Sequence, residues 1–123
     1  MNIVVIPCFD RPEFLHVTLE LISKADNYKD YLYLFQLDYG FDLKNLEVID
    51  NFDAVKVINR TKFTGYREGK QSYNVLSGLI TAAQHTKELV FLIEDDVFIG
   101  KDYFTFHEDL HKKEKDIFCS ILA

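Results

Sequence analysis

The sequence predicts an α/β fold with three layers, in which a mainly parallel sheet lies between helices. Short apolar runs rich in β-branched residues alternate with longer segments whose apolar residues recur at helical spacing. The run at residues 88–93 is apolar enough for a central strand that is covered on both faces. The 123 residues, of which 48% are hydrophobic, suit a single domain over residues 1–123 with one core.

The predicted elements follow one another in βαβ order, for which right-handed crossovers are the rule. We predict strands at residues 2–7, 31–37, 54–58, 88–93 and 117–122, and helices at residues 12–25, 43–52, 70–86 and 102–115. Asp10 stands where an N-cap would begin the first helix, and Pro12 suits its first turn. In the helix at 70–86, the apolar residues that share one face are Tyr73, Leu76, Ile80 and Ala83.

Composition excludes some classes of protein. The formal net charge of −6 argues against a nucleic-acid-binding surface, which needs clustered Lys and Arg. We find no membrane-spanning apolar run and no signal peptide. Cys8 and Cys119 adjoin apolar runs without metal-site spacing, so we expect both to be buried and the protein to be cytoplasmic. The chain stops at its last predicted strand, and we therefore expect the N-terminal part of a larger, truncated domain.

Polar residues follow each predicted strand at the edge where an open parallel sheet binds its ligands. In chain order these residues are Asp10 and Arg11, then Asp38, then Arg60, Lys62, Arg67 and Lys70, and finally Glu94, Asp95 and Asp96. Carboxylates and cations thus alternate along one edge of the sheet. The sequence therefore predicts a site for an anionic ligand at this edge.

The acidic triplet at residues 94–96 is the sharpest feature of that edge. Three acids directly after an apolar strand are costly unless they are neutralised or solvated. Mg²⁺ and Mn²⁺ prefer such oxygen ligands, together with substrate phosphates. A cation that bridges Asp96 and a diphosphate would draw charge from a leaving group. The alternative is an acidic strand end that faces water.

The other candidates have alternatives as well. Asp10 and Arg11 are a helix cap and a surface cation, or Arg11 binds a nucleotide at the helix N-terminus. Asp38 belongs to a turn before Gly40, or it accepts hydrogen bonds from a uracil or a ribose. The basic loop at 59–69 is a solvated connection, or it closes over a diphosphate with Lys70 as its cation.

Two histidines one helical turn apart, His107 and His111, lack a third metal ligand, and we expect this pair to face solvent.

Five segments together resemble the GT-A-fold glycosyltransferases, in particular the N-acetylglucosaminyltransferase I type. They are residues 3–11 (IVVIPCFDR), 36–38 (QLD), 62–66 (KFTGY), 92–96 (LIEDD) and 102–104 (DYF). The likeness covers nearly the whole chain in the correct order. Its most specific part is the triplet, which matches the Glu-Asp-Asp version of that family's Asp-x-Asp motif.

The resemblance implies a Rossmann-like fold of the nucleotide-diphospho-sugar transferase type. It implies that a nucleotide sugar, commonly UDP-linked, donates its sugar with inversion to a glycan or other hydroxyl acceptor. Asp96 would bind Mn²⁺ or Mg²⁺ with the diphosphate, Asp95 would lie near the ribose, and Glu94 near the donor sugar. The candidate donor-binding residues are Pro7, Asp10, Arg11, Asp38, Lys70, Glu94 and Asp95.

The sequence departs from that family in two respects. Ser72 stands where the family offers a histidine to the base. The family's catalytic base and acceptor half lie downstream of the residues present, so no catalytic residue is assigned. The alternative function is a non-catalytic nucleotide-sugar- or metal-binding module or a degenerate fragment. Because a missing half leaves apolar surface exposed, we also predict self-association.

Overall fold

Strands and helices alternate along the chain as predicted. The structure is a computed structural model that describes residues 1–62 and 69–121. The described strands are β1 (Ile3–Cys8), β2 (Leu32–Leu37), β3 (Lys56–Arg60) and β4 (Val90–Leu92). The described helices are α1 (Pro12–Ser23), α2 (Lys44–Asp50), α3 (Lys70–His85) and α4 (Tyr103–Lys113), with a short 3₁₀ turn at Tyr28–Asp30. The part of the basic loop at residues 63–68 lies outside the described residues.

The described strands form one parallel sheet in the order β3-β2-β1-β4. Val5 of β1 is paired with Leu34 on one side and with Leu92 on the other. From β1 the chain proceeds outward to β2 and β3, and then crosses back over β1 to form β4. The loops after β1 and β4 therefore part at a topological switch point, where α/β sheets bind ligands. The predicted α/β class is confirmed.

Pro7 lies near the end of β1, an interior strand of this sheet. Ile3 donates its N–H to Leu89 O at 3.1 Å, and Val5 O accepts from Ile93 N at 3.0 Å, so the odd-numbered residues of β1 face β4. Pro7 has the same orientation, but β4 ends at Leu92. Because β4 has already ended, Pro7 can stand here without breaking a hydrogen bond between β1 and β4.

The face of the sheet that packs against α1, α2 and α4 holds most of the core. Its fully buried side chains include Leu15, Ile22, Tyr31, Tyr33, Phe35, Leu37, Ile49 and Phe104. Aromatic rings meet edge to face here, as in the pair Phe91 and Phe104 with centroids 5.2 Å apart. We call this side the aromatic face.

The opposite side of the sheet, which we call the α3 face, is packed more thinly. Its buried apolar cluster consists of Ile3, Val5, Leu34 and Ala82. Helix α3 lies very close to the strands because Gly78 faces them, and a Cβ there would be 2.8 Å from Val5 Cγ1. Asn74, Gly78 and Ala82 point inward, whereas Tyr73, Leu76 and Ile80 are at least half exposed. The predicted apolar face of this helix thus points outward.

Other predictions at the chain's C-terminal end are wrong. Residues 117–121 of the predicted fifth strand form no strand, and residue 122 lies outside the described residues. His107 is buried rather than solvated, because its ring packs against Tyr103 and it shares a hydrogen bond with Ser120 Oγ at 2.7 Å. His111 Nε2 lies 2.9 Å from the same hydroxyl.

Cys8 is buried as predicted, whereas Cys119 is exposed. Neither the helices of residues 1–62 nor those of residues 69–121 combine the length and apolar character needed to cross a membrane.

Candidate functional site

A cleft opens at the carboxyl edge of the sheet, at the switch point between β1 and β4. Its walls come from the segments after three strands and from the first turns of α3. The lining residues are Pro7, Cys8, Phe9, Arg11, Asp38, Gln71, Asn74, Val75, Glu94 and Asp95. Five of the seven predicted donor-binding residues therefore line one cleft, and a sixth, Lys70, pairs with Asp38 of its wall.

At one end of the cleft, Arg11 joins the loop after β1 to the acidic triplet. Its guanidinium lies 3.5 Å from Asp95 Oδ1 and donates a hydrogen bond to Asp96 Oδ2 at 3.0 Å. Asp95 is 4% exposed, whereas Arg11 and Asp96 have side chains that are 42% and 41% exposed. The guanidinium is therefore accessible to solvent, whereas the Asp95 carboxylate is buried.

Burial raises the pKa of Asp95 above its ordinary value. Arg11 and a backbone hydrogen bond from Phe9 oppose this effect, and the neighbouring charges of Asp96 and Glu94 add to it. Arg11 and the Phe9 backbone thus both favour the carboxylate form of the buried Asp95.

At the other end of the cleft, Lys70 joins α3 to the segment after β2. Its Nζ lies 3.1 Å from Asp38 Oδ2 and 3.6 Å from the centroid of the Phe9 ring. Asp38 Oδ1 accepts the N–H of Tyr39 at 2.8 Å. The predicted turn before Gly40 is present, because Phe41 donates its N–H to Asp38 O at 3.1 Å and Gly40 has a φ of 81°. The buried Asp38 carboxylate also lines the cleft.

Asp10 lies away from this arrangement. It is exposed and absent from the cleft wall, and the N-cap position of α1 belongs to Arg11 rather than to Asp10. No described side chain caps this helix. Of the basic loop, Arg60 packs over the ring of Phe41, Lys62 is exposed, and Arg67 lies outside the described residues.

Sequence reasoning missed several residues that shape the cleft. Phe9 carries the Lys70 ammonium on its ring, and its carbonyl accepts a hydrogen bond from Asn45 Nδ2 at 2.7 Å. Asn74 donates to Gln36 O at 3.0 Å and accepts from the hydroxyl of Thr61. An amide one turn after Lys70 on the same helix was the signal that could have identified Asn74.

The carboxylates of the acidic triplet provide few ligands for the expected divalent cation. The described residues contain no group of three or more His, Cys, Asp or Glu placed to hold a metal ion. Asp96 offers one half-exposed carboxylate, which suits an ion that keeps several waters and completes its shell with phosphate oxygens. The residues fit a cation that arrives with a phosphorylated ligand, and they do not form a complete protein cage.

Comparisons with known proteins reveal similarity at the level of fold. No family model matches the sequence, and no curated protein matches it. A crystal structure of S. aureus TarS 1-349 in complex with UDP superimposes with a TM-score of 0.71 at 14% identity, over 93% of this chain. A second crystal structure of S. aureus TarS 1-349 gives a TM-score of 0.69 at 14% identity, also over 93% of this chain.

The present chain spans only 32% and 33% of those two structures. At this level of identity the similarity concerns the fold alone. The chain therefore has the Rossmann-like α/β fold that the glycosyltransferase resemblance implies. The finer likeness to the N-acetylglucosaminyltransferase I type stays a prediction.

Proposed function

We propose that this chain binds the donor of a glycosyl transfer reaction, a UDP-linked sugar, in the cleft at the switch point. The observation that carries the proposal is the presence of Arg11, Asp38 and Asp95 in one cleft wall. Asp96 is paired with Arg11 and Lys70 is paired with Asp38 beside this wall. The similarity to a fold that holds UDP in S. aureus TarS supports the same ligand class.

The electrostatics of the acidic end favour a diphosphate that arrives together with a divalent cation. Arg11 pairs with both Asp95 and Asp96, and its single positive charge offsets only part of their combined negative charge. A diphosphate would attract the half-exposed guanidinium, which forms bidentate pairs with phosphate oxygens. Asp96 would then be released to hold Mn²⁺ or Mg²⁺, and such an ion supplies Lewis-acid stabilisation of a leaving diphosphate.

The other end of the cleft fits a uracil base. Uracil presents an N–H donor flanked by carbonyl acceptors. Asp38 can accept from the N–H, since a carboxylate oxygen can take more than one hydrogen bond, and Lys70 can donate to a carbonyl. Cytosine presents an acceptor at the same ring nitrogen and would face the Asp38 carboxylate unfavourably. We therefore propose that the donor is a uridine nucleotide.

Transfer itself needs a base that takes the proton from the acceptor hydroxyl. The proposal uses Arg11, Asp38, Lys70, Asp95 and Asp96 to bind the donor and its cation, and it leaves the base unassigned. Glycosyl transfer to a glycan or other hydroxyl acceptor is therefore proposed as the activity of the whole protein. The alternative is a non-catalytic module that binds the nucleotide sugar.

Calorimetric titration with UDP and a panel of UDP-sugars, with and without Mn²⁺ or Mg²⁺, tests the proposal. We expect the cation to tighten binding about tenfold or more, equivalent to about 1.4 kcal/mol. Asp96→Asn should lose this gain and keep the cation-free affinity. Asp109→Asn, an exposed acid on α4, is the matched control and should bind as the wild type does.

A wild type that binds no UDP, with or without a divalent cation, would overturn the donor site. A UDP affinity that no divalent cation changes, or an Asp96→Asn variant that retains the full gain, would overturn the role of Asp96 in holding the cation. Donor binding without any transfer to a panel of hydroxyl acceptors would favour the non-catalytic alternative.

A further inference from the structure

Thr18 is a buried polar residue in the middle of α1 that does not line the cleft. Its side chain is fully buried, and its hydroxyl donates to Asp95 O at 2.8 Å and lies 3.2 Å from Val97 O. These two carbonyls belong to the residues immediately before and after Asp96. We call residues 94–97 the acidic loop, which Val97 closes by donating its N–H to Glu94 O at 3.0 Å.

This contact differs from the usual behaviour of a hydroxyl inside a helix. Ser and Thr in helices commonly bond to the carbonyl one turn earlier on their own helix. Ser23 and Thr81 do so here, with bonds to Leu19 O and Ser77 O, both at 2.8 Å. Thr18 instead directs its single proton across the molecule to a loop 77 residues further along the chain.

Helix α1 thus holds the acidic loop at two points. Arg11, just before its first turn, holds the side chains of Asp95 and Asp96, while Thr18 holds the backbone on either side of Asp96. Seven residues of helix separate the two contacts by about 10 Å along the axis. The Thr18 contact is made by a short, fully buried side chain, whereas the Arg11 contact is made by a long side chain that is 42% exposed.

We propose that Thr18 is a positioning residue that fixes the backbone of Asp96 for the divalent cation. This inference rests on the proposed function. When Arg11 turns from Asp96 to the diphosphate, the side-chain tie between α1 and the loop is lost. The hydroxyl of Thr18 then keeps the loop at its distance from α1, and the Asp96 carboxylate stays where the cation and the diphosphate meet.

The test compares Thr18→Val with the wild type in UDP titrations with and without Mn²⁺. Valine keeps the branched shape and removes the donor, so the loop loses its backbone tie. We expect the gain in UDP affinity from Mn²⁺ to fall about tenfold. The cation-free affinity, which depends on Arg11, Asp38 and Lys70, should stay within about twofold of the wild type. Thr18→Ser restores the hydroxyl and should restore the gain.

Tyr31→Phe is the matched control for the loss of a buried hydroxyl. The Tyr31 hydroxyl donates to Glu108 Oε1 at 2.5 Å, away from the cleft, and its removal should leave both affinities unchanged. A role of Thr18 in stability alone would lower the melting temperature of Thr18→Val and Tyr31→Phe alike without changing the cation gain. If Thr18→Val does not fold, Thr18→Ala removes the same hydroxyl with the same expected result.

The outcomes separate the two proposals. A cation gain that is present in the wild type and unchanged in Thr18→Val overturns the role of Thr18 and leaves the donor site standing. A wild type that binds UDP without any cation gain overturns the role of Thr18 and the cation part of the proposed function, because there is then no cation for the loop to receive. A wild type that binds no UDP overturns both proposals. A gain lost in Thr18→Val and restored in Thr18→Ser supports both.

Discussion

The aromatic face and the α3 face of the sheet are held by different forces. On the aromatic face, large side chains such as Phe35 and Phe104 are fully buried. On the α3 face, the buried apolar cluster is small, and a hydrogen-bonded set of Gln36, Thr61 and Asn74 lies beside it. Burial of apolar area supplies most folding free energy, so the aromatic face should dominate stability.

This difference separates stability from ligand binding. The α3 face contributes Lys70 to the Asp38 pair and Gln71, Asn74 and Val75 to the cleft wall. A helix held by close approach and hydrogen bonds places these groups accurately, because small displacements break the contacts. Substitutions on the two faces should therefore affect unfolding and nucleotide binding in different proportions.

The largest effect on unfolding is expected at the centre of the aromatic face. Phe104→Ala removes a ring packed against Tyr31 and Phe91 and should lower the free energy of unfolding by about 3–5 kcal/mol. Urea unfolding measures the change. Phe118→Ala, at a fully exposed phenylalanine, is the control and should change it by less than about 0.5 kcal/mol. Similar losses in both variants would contradict the assigned core.

A smaller loss of stability, with a larger loss of binding, is expected on the α3 face. Gly78→Ala places a Cβ 2.8 Å from Val5 Cγ1 and should cost about 1–3 kcal/mol by forcing α3 away from the sheet. Because α3 carries Lys70, UDP affinity should fall as well. Gly69→Ala meets nothing within 4 Å and serves as the control in both measurements. Unchanged UDP affinity in Gly78→Ala would show that α3 does not need its close approach.

A polar group inside the aromatic face should make stability depend on pH. Burial and the neighbouring His111 lower the pKa of His107 below the ordinary value of 6.5. The neutral ring therefore contributes stability that is complete above about pH 6.5 and is lost as the pH falls through the folded-state pKa. Urea midpoints between pH 7 and pH 5 should fall less in His107→Gln than in the wild type.

The control for that measurement is His16→Gln, which removes an exposed histidine that pairs with Glu20. Equal pH responses of His107→Gln and the wild type would contradict a destabilised imidazolium at position 107.

The smallest effect is expected on the outer side of α3. Leu76 is 57% exposed, so Leu76→Glu should change the free energy of unfolding by less than about 0.5 kcal/mol. Ala82→Glu, on the inward side of the same helix, should be severely destabilising because it buries an unpaired charge. Comparable losses in the two variants would reverse the orientation of α3 described above.

Light scattering of the wild type at high concentration tests the predicted self-association. A clean monomer would contradict that prediction.

Much of the fold follows from local pattern. Alternating apolar runs and helical spacing predicted the described strands and helices, because parallel strands with covered faces leave a strong apolar signal. The strand predicted at residues 117–122 was wrong for residues 117–121, since strand formation depends on an available partner strand and on burial as much as on composition. The orientation of α3 was also missed, because small residues rather than large ones face the sheet at a close helix–strand contact.

The sequence predicted which edge of the sheet carries the candidate site, but it did not predict which side chains contact one another there. Parallel strands bring their carboxyl ends together, so Arg11, Asp38 and Asp95 could be assigned to one place. The pairing of Lys70 with Asp38, and the reach of Thr18 to the acidic loop, depend on the rotation of helices about their axes. That rotation is set by packing across the whole domain, which no local pattern contains.

Pro7 lines the cleft at the point where β1 and β4 separate. At this position any other residue would point its N–H toward β4, which ends at Leu92. A free N–H there would favour one more residue of pairing between β1 and β4. Proline has no backbone N–H, so β1 cannot donate a further ladder hydrogen bond toward β4 at this position. The separation of β1 and β4 beside the cleft is therefore favoured by the sequence of β1 itself.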